Sequence, residues 1–121
     1  MTERTLSIFL VEDEAMIRLM VADMVETLGH RVVAETGNVD QATELARSAE
    51  FDFAILDMNL DGAMTFPIAD AIAARGIPFL FASGYAATKA SDARRQELVL
   101  QKPFTLGRLE AAIEQRMQRE R

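Results

Sequence analysis

Four short, almost uninterrupted apolar runs mark the chain: Leu6 to Val11, Phe53 to Leu56, Phe79 to Ala82 and Leu98 to Leu100. Runs this short, without polar alternation, are the pattern of strands buried on both faces, as in a parallel sheet. Arg31 to Glu35 reads as one further strand, second in chain order. Between the strands the apolar period lengthens. Ile17, Met20, Val21, Met24 and Leu28 recur at helical spacing, with Gly29 placed as the left-handed residue that ends the helix. Asn38 with Gln41 three positions on resembles a helix-start box, and Val39, Ala42, Leu45, Ala46 and Ala49 follow as an apolar stripe. Thr65 to Arg75 predicts a third helix, with Pro67 in its first turn and Gly76 closing it. Ala86 to Glu97 is mostly alanine on its apolar side, which buries little area, and predicts a short or mobile fourth helix. Thr105 is a candidate cap for the last helix, whose Leu106, Leu109, Ile113 and Met117 form a stripe. This alternation, with no linker, repeat or low-complexity tract, predicts one doubly wound α/β domain over residues 1–121.

Each apolar run hands its last positions to a polar group: Glu12-Asp13-Glu14 after the first, Asp57 after the second, Ser83 after the third and Lys102-Pro103 after the fourth. In an open parallel sheet the carboxyl ends of the strands share one rim, and ligands bind there. Acid pair, lone aspartate, hydroxyl and lysine are therefore expected to meet. Two carboxylates about 4 Å apart repel by about 4 kcal/mol at an effective dielectric near 20, so such a cluster calls for a cation. A carboxylate held there is also a nucleophile for phosphorus, with the lysine as a point charge for a phosphoryl oxygen.

This ordered set resembles the receiver domain of two-component response regulators, the CheY-like family, along essentially the whole chain. The resemblance implies a (βα)5 flavodoxin-like fold with strand order 2-1-3-4-5, of which CheY is itself a standard example, and a switch point between strands one and three. It implies that Asp57 accepts a phosphoryl group from a sensor histidine kinase or a histidine phosphotransfer protein. It assigns Mg2+ to Asp13, Asp57 and the backbone carbonyl of Asn59, with Glu12 acting through water. Lys102 and Ser83 would hold phosphoryl oxygens, the amides of Asn59 and Gly84 would complete the cradle, and the Lys102-Pro103 bond would be cis. The segment Phe81-Ala82-Ser83-Gly84-Tyr85 is similar to the Phe-Ala-Thr-Gly-aromatic (FAT GUY) signature of one receiver subgroup, with Ser83 replacing threonine. Such a receiver catalyses only its own phosphorylation and dephosphorylation. It signals to a downstream protein through the face built by the fourth helix, fifth strand and last helix, as a monomer or weak dimer.

Three positions depart from the family pattern. The acid pair is Glu12-Asp13 rather than two aspartates. Asp61 stands where receivers commonly have proline, so the loop from Met58 to Gly62 is expected to be looser. Val99 occupies the place of the usual switching aromatic, which shifts the expected switch to Ser83, Gly84 and Tyr85.

Singly, these residues have plainer uses: Asp13 as a cap of the first helix, Asp57 as a turn starter, Ser83-Gly84 as a turn and Lys102 as a solvated lysine. His30, alone before a strand, reads as a surface residue. Three other functions fit parts of the pattern. A phosphate sink for a shared kinase needs the same site without a target. An aspartyl phosphatase usually needs a second acid two residues after the nucleophile, where this chain has Asn59. In an FMN carrier Glu12-Asp13-Glu14 would repel the phosphate.

Composition narrows the partners. A net charge of -6 works against a phosphate backbone, so nucleic acid is not an expected partner. Arg116, Arg119 and Arg121 are read as complementing the end of the last helix. Without cysteine there is no disulfide framework, and no run approaches the roughly twenty apolar residues of a membrane span. A cytoplasmic protein is expected.

Overall fold

The computed structural model describes residues 4–84 and 99–119. Five parallel strands form the central sheet: β1 (Ser7–Val11), β2 (Arg31–Thr36), β3 (Phe53–Asp57), β6 (Phe79–Ser83) and β7 (Val99–Gln101), in the order β2-β1-β3-β6-β7. Counted within that sheet the order is 2-1-3-4-5, as expected. Two short strands, β4 (Asn59–Leu60) and β5 (Ala63–Met64), make a separate antiparallel hairpin directly after β3. The helices are α1 (Ala15–Thr27), α2 (Val39–Ser48), α3 (Phe66–Ala74) and α4 (Leu106–Arg119). The fourth helix expected over Ala86 to Glu97 lies outside the described residues, as do Leu98 and Tyr85.

Strand pleating divides the core. Ile8, Leu10, Phe53, Ile55 and Leu80 point to the face covered by Val21 and Val25 of α1 and by Leu109 and Ile113 of α4. Phe9, Val11, Ala54, Leu56, Phe79 and Phe81 point to the other, covered by Ala42 and Ala46 of α2 and by Ile68, Ala69 and Ile72 of α3. Both central strands, β3 and β6, are buried at all five positions. That is why their sequences carry no alternation.

The helix ends follow the sequence in most places. Gly29 and Gly76 take φ of 94° and 76° after α1 and α3. The Asn38 side chain accepts from the Gln41 N–H at 2.8 Å, and the Thr105 hydroxyl accepts from the Arg108 N–H at 3.2 Å. The helix-start box is only half formed, because the Gln41 side chain accepts the Thr36 hydroxyl instead, at 2.5 Å. Met20 is an exception to the α1 stripe: it is exposed, and Val25 is buried in its place. Residues 17, 21, 24, 25 and 28 share one helical face, and position 20 falls at its edge.

Two basic residues reach across elements. Arg116 Nε donates to the Phe79 carbonyl at 2.9 Å, which ties α4 to the start of β6. Arg75 donates to the Ala46 and Ala49 carbonyls, both at 2.7 Å, and its guanidinium lies 5.1 Å from the centre of the Phe51 ring. It thereby satisfies carbonyls that the end of α2 leaves open. His30 is not a simple surface residue either. It is half-buried, its Nδ1 accepts the Leu6 N–H at 3.0 Å, and burial lowers its pKa.

Candidate functional site

The carboxyl ends of β1, β3, β6 and β7 meet at the rim. Glu12 and Asp13 follow β1, Asp57 ends β3 beside it, Ser83 ends β6, and Lys102 follows β7. Glu12, Asp13 and Asp57 each present a carboxylate oxygen within 4.8 Å of the other two. Glu12 and Asp57 are buried and Asp13 is exposed, so the cluster has two dry corners and one wet one.

Lys102 bridges the dry corners. Its Nζ lies 3.0 Å from Glu12 Oε1 and 3.5 Å from Asp57 Oδ2. Burial pulls the ammonium toward neutrality, but the hydrogen bond to Glu12 and the two carboxylate charges outweigh it and raise its pKa. The lysine is therefore a fixed positive charge, not a solvated surface group. The Lys102-Pro103 bond is cis, and the Lys102 N–H donates to the Ser83 carbonyl at 2.7 Å. Ser83 itself is buried, one residue past Ala82, the register partner of Asp57.

Asp57 is 8 % exposed, and its pKa is pushed up to about 6. Burial is the largest cause, followed by the charge of Glu12; Lys102 and the Asn59 N–H, 3.3 Å from Oδ1, pull it back only in part. The aspartate is a strained anion, chiefly because it is buried, with the repulsion from Glu12 adding to that. The Thr65 hydroxyl, fully buried, donates to the Asp57 carbonyl at 2.7 Å and pins the end of the strand.

Asp13 does not cap α1. That place belongs to Glu14, whose side chain makes no cap hydrogen bond. Asp13 Oδ2 instead accepts the backbone N–H of Asp61 at 2.9 Å. The loop after Asp57, expected to be loose, is the tight β4–β5 hairpin, with Asp61 at φ 49° and Gly62 at φ 92°. Two successive residues with positive φ make the type I′ turn that Asp-Gly favours, and proline at Asp61 could not enter it. The Asn59 Oδ1 accepts the Gly62 N–H at 2.9 Å and closes the turn. The Asp61-Gly62 dipeptide was the available signal for this hairpin.

The acid pair is also held from behind, by contacts that no local sequence signal marks. Arg18 of α1 donates to the Glu12 carbonyl at 2.7 Å and pairs with Glu35 of β2 at 3.3 Å. Gly37 packs so closely here that a Cβ would sit 2.9 Å from the Glu12 oxygen, the Asp13 Cα and the Arg18 guanidinium alike. Two of those neighbours are backbone and cannot swing aside. Gly37→Ala is therefore expected to lower stability by about 1–3 kcal/mol, the usual range for overpacking, read as a shift of the denaturant midpoint at unchanged slope.

Tyr85, expected as part of the switch, lies outside the described residues, while Val99 is half-buried against the α2–α3 side of the core. Among the described residues no helix is long and apolar enough to cross a membrane.

Comparison with known proteins places this architecture. The response regulator receiver domain model matches residues 8–114. The chain is 30% identical over 112 residues to the transcriptional regulatory protein PdtaR of Mycobacterium tuberculosis, covering 88% of this chain and 54% of that protein. It thus spans about half the length of the curated relatives it matches. It is similar to SdrG of Sphingomonas melonis Fr1, with 36% identity over 96% of this chain and 99% of that one, at a TM-score of 0.82. The BeF3-activated conformation of SdrG, from Pseudomonas melonis Fr1, is 40% identical over 89% of this chain and 92% of that one, at a TM-score of 0.74. The rim cluster thus sits in a chain that belongs to the response regulator receiver domain family and functions in phosphorelay signalling.

Proposed function

We propose that Asp57 is the phosphoacceptor of this receiver, that its donor is the phosphohistidine of a sensor kinase or phosphotransfer protein, and that the reaction requires Mg2+. The observation that carries this reading is the meeting of Asp57 with Glu12, Asp13 and Lys102 from three separate strand ends. One Asp57 oxygen attacks phosphorus, the new O–P bond replaces the P–N bond of the donor, and the imidazole leaves with the electron pair. The product is an acyl phosphate on Asp57.

The donor set fits a small hard cation. It offers carboxylate oxygens and no sulfur or imidazole, and the raised pKa of Asp57 records burial first and the Glu12 charge second, both of which such an ion offsets. Asp13, Asp57 and the Asn59 carbonyl would hold it, with Glu12 acting through water. When bound, Mg2+ supplies charge neutralisation of the transferred group. Lys102 then holds one phosphoryl oxygen, and Ser83, with the Asn59 and Gly84 amides, holds the others. The BeF3-activated conformation of SdrG supports the reading, since a related chain has a BeF3-activated state. Receivers of this family do not turn over other substrates. Output through contacts with a downstream protein completes the proposal, and the Phe81-to-Gly84 segment supports membership of the FAT GUY subgroup.

Incubation with a small phosphodonor and Mg2+, read by intact mass, tests the chemistry. One phosphoryl increment is expected, formed only with Mg2+ and prevented by chelator added beforehand. Labelling that ignores chelator would refute the metal requirement. Lys102→Ala separates the roles further. Its ammonium competes with a cation for Glu12 and Asp57, so the variant is expected to bind Mg2+ at least as tightly as wild type. Labelling should nonetheless slow by roughly 100-fold, the scale of losing one charge at a transferring group. Loss of both properties together would make the lysine a merely structural ion-pair partner.

A further inference from the structure

The Asp61 N–H is the one hydrogen bond described between the hairpin and the acid pair, and it bridges 48 residues of sequence. Asp13 is the exposed corner of a three-carboxylate cluster, so repulsion from Glu12 and Asp57 favours swinging its side chain into water. The N–H opposes that motion by taking Oδ2, and no described residue hydrogen-bonds Oδ1. Its own position is well determined. Asp61 is held in a left-handed conformation at φ 49°, Gly62 follows at φ 92°, Leu60 is buried beside them, and the Gly62 N–H is closed onto Asn59.

We propose that the Asp61-Gly62 turn is a positioning device for the cation site: the Asp61 backbone N–H holds Asp13 in its ligating orientation before any ion arrives. Asp61 is a positioning residue, and its contribution comes from its amide, not from its carboxylate. This deepens the proposed function, because it concerns the same Mg2+ site.

A hydrogen bond to a carboxylate has two opposing effects on ion affinity. It withdraws charge from the ligand, and it fixes the ligand in place. At an exposed carboxylate solvent already screens the charge, so orientation dominates. Three substitutions at the same position divide the possibilities. Asp61→Gly keeps both the N–H and access to positive φ, whereas Asp61→Pro removes the donor and cannot adopt that φ. Asp61→Asn keeps N–H and turn but deletes the carboxylate charge.

Calorimetric titration of the full chain with Mg2+ is the measurement. Asp61→Gly and Asp61→Asn are expected to bind within about twofold of wild type, and Asp61→Pro about tenfold more weakly, on the scale of about 1.4 kcal/mol per decade. At saturating Mg2+, Asp61→Pro should accept phosphoryl groups at close to the wild-type rate, which a general collapse of the site would not allow. Equal loss in all three variants would make the carboxylate a ligand and overturn the proposal. Unchanged or tighter binding by Asp61→Pro would overturn it too.

Should Asp61→Pro fail to fold, amide exchange decides the matter. The Asp61 amide should be protected in wild type and lose at least tenfold in protection in Asp13→Ala, and equal exchange in the two proteins would refute the bond. Asp13→Ala also separates this inference from the function it rests on. If wild type itself shows no Mg2+ binding, the metal reading fails; if Asp13→Ala loses binding while Asp61→Pro keeps it, only the positioning role fails.

Discussion

Asp57→Asn is expected to abolish phosphoryl acceptance, with no mass increment after hours in a small phosphodonor and Mg2+, and no transfer from a cognate kinase. An amide has no anionic oxygen to attack phosphorus, and it removes one of the three oxygens of the cation cluster. The other two carboxylates of the cluster each carry a described contact. Glu12 pairs with Lys102 through Oε1 and accepts the Glu14 N–H through Oε2, at 3.0 Å each, and Asp13 accepts the Asp61 N–H. Full-stoichiometry labelling of the variant at the wild-type rate would remove Asp57 from the role.

The same substitution should stabilise the metal-free protein, by an amount that depends on pH. Asp57 titrates near 3.8 when unperturbed and near about 6 in the fold. Between those values the folded state binds more protons than the unfolded one, so stability falls as pH rises through the window. At about 1.4 kcal/mol per pKa unit the ceiling on this contribution is about 3 kcal/mol, fully expressed at pH 7. Roughly 4 °C of melting temperature per kcal/mol at this chain length puts the largest difference near about 12 °C. Losing the Lys102 pairing reduces the gain, so a rise of about 4–8 °C is expected for Asp57→Asn at pH 7, shrinking toward zero at pH 4. His30 acts with the opposite sign: its lowered pKa makes the fold lose stability as pH falls below the ordinary histidine value. Subtracting variant from wild type cancels that part. Saturating Mg2+ at pH 7 should close the gap by stabilising wild type preferentially. A wild-type-minus-variant difference that stays flat from pH 4 to 7 would show that Asp57 is not a strained anion.

Much of this architecture was legible in the chain because it depends on local pattern. Apolar runs without alternation gave the strands β1, β3 and β6, and a polar residue at the end of each run must lie on the common rim of a parallel sheet. What was not legible depends on which distant residues touch. Arg75 reaching the end of α2, and Arg18 with Gly37 bracing Glu12, are placed by packing and leave no periodic trace. His30 looked like a surface residue because nothing near it in sequence announces that its ring accepts the Leu6 N–H, 24 residues away. The hairpin is a different case. Asp61 was weighed only as the absence of proline, whereas Asp61-Gly62 between two short extended pairs is a turn signal in its own right.

The ion pair between Glu12 and Lys102 joins residues 90 positions apart. During synthesis the acid pair leaves the ribosome long before the lysine, and the central strands can associate while the site still lacks its positive charge. Contacts of such long range close late, because the intervening chain must be ordered first. On the proposed function, competence for phosphoryl transfer would be tied to completion of the fold: a nascent or partly unfolded chain would carry the proposed nucleophile without the group that balances it, and would be a poor acceptor until β7 has docked.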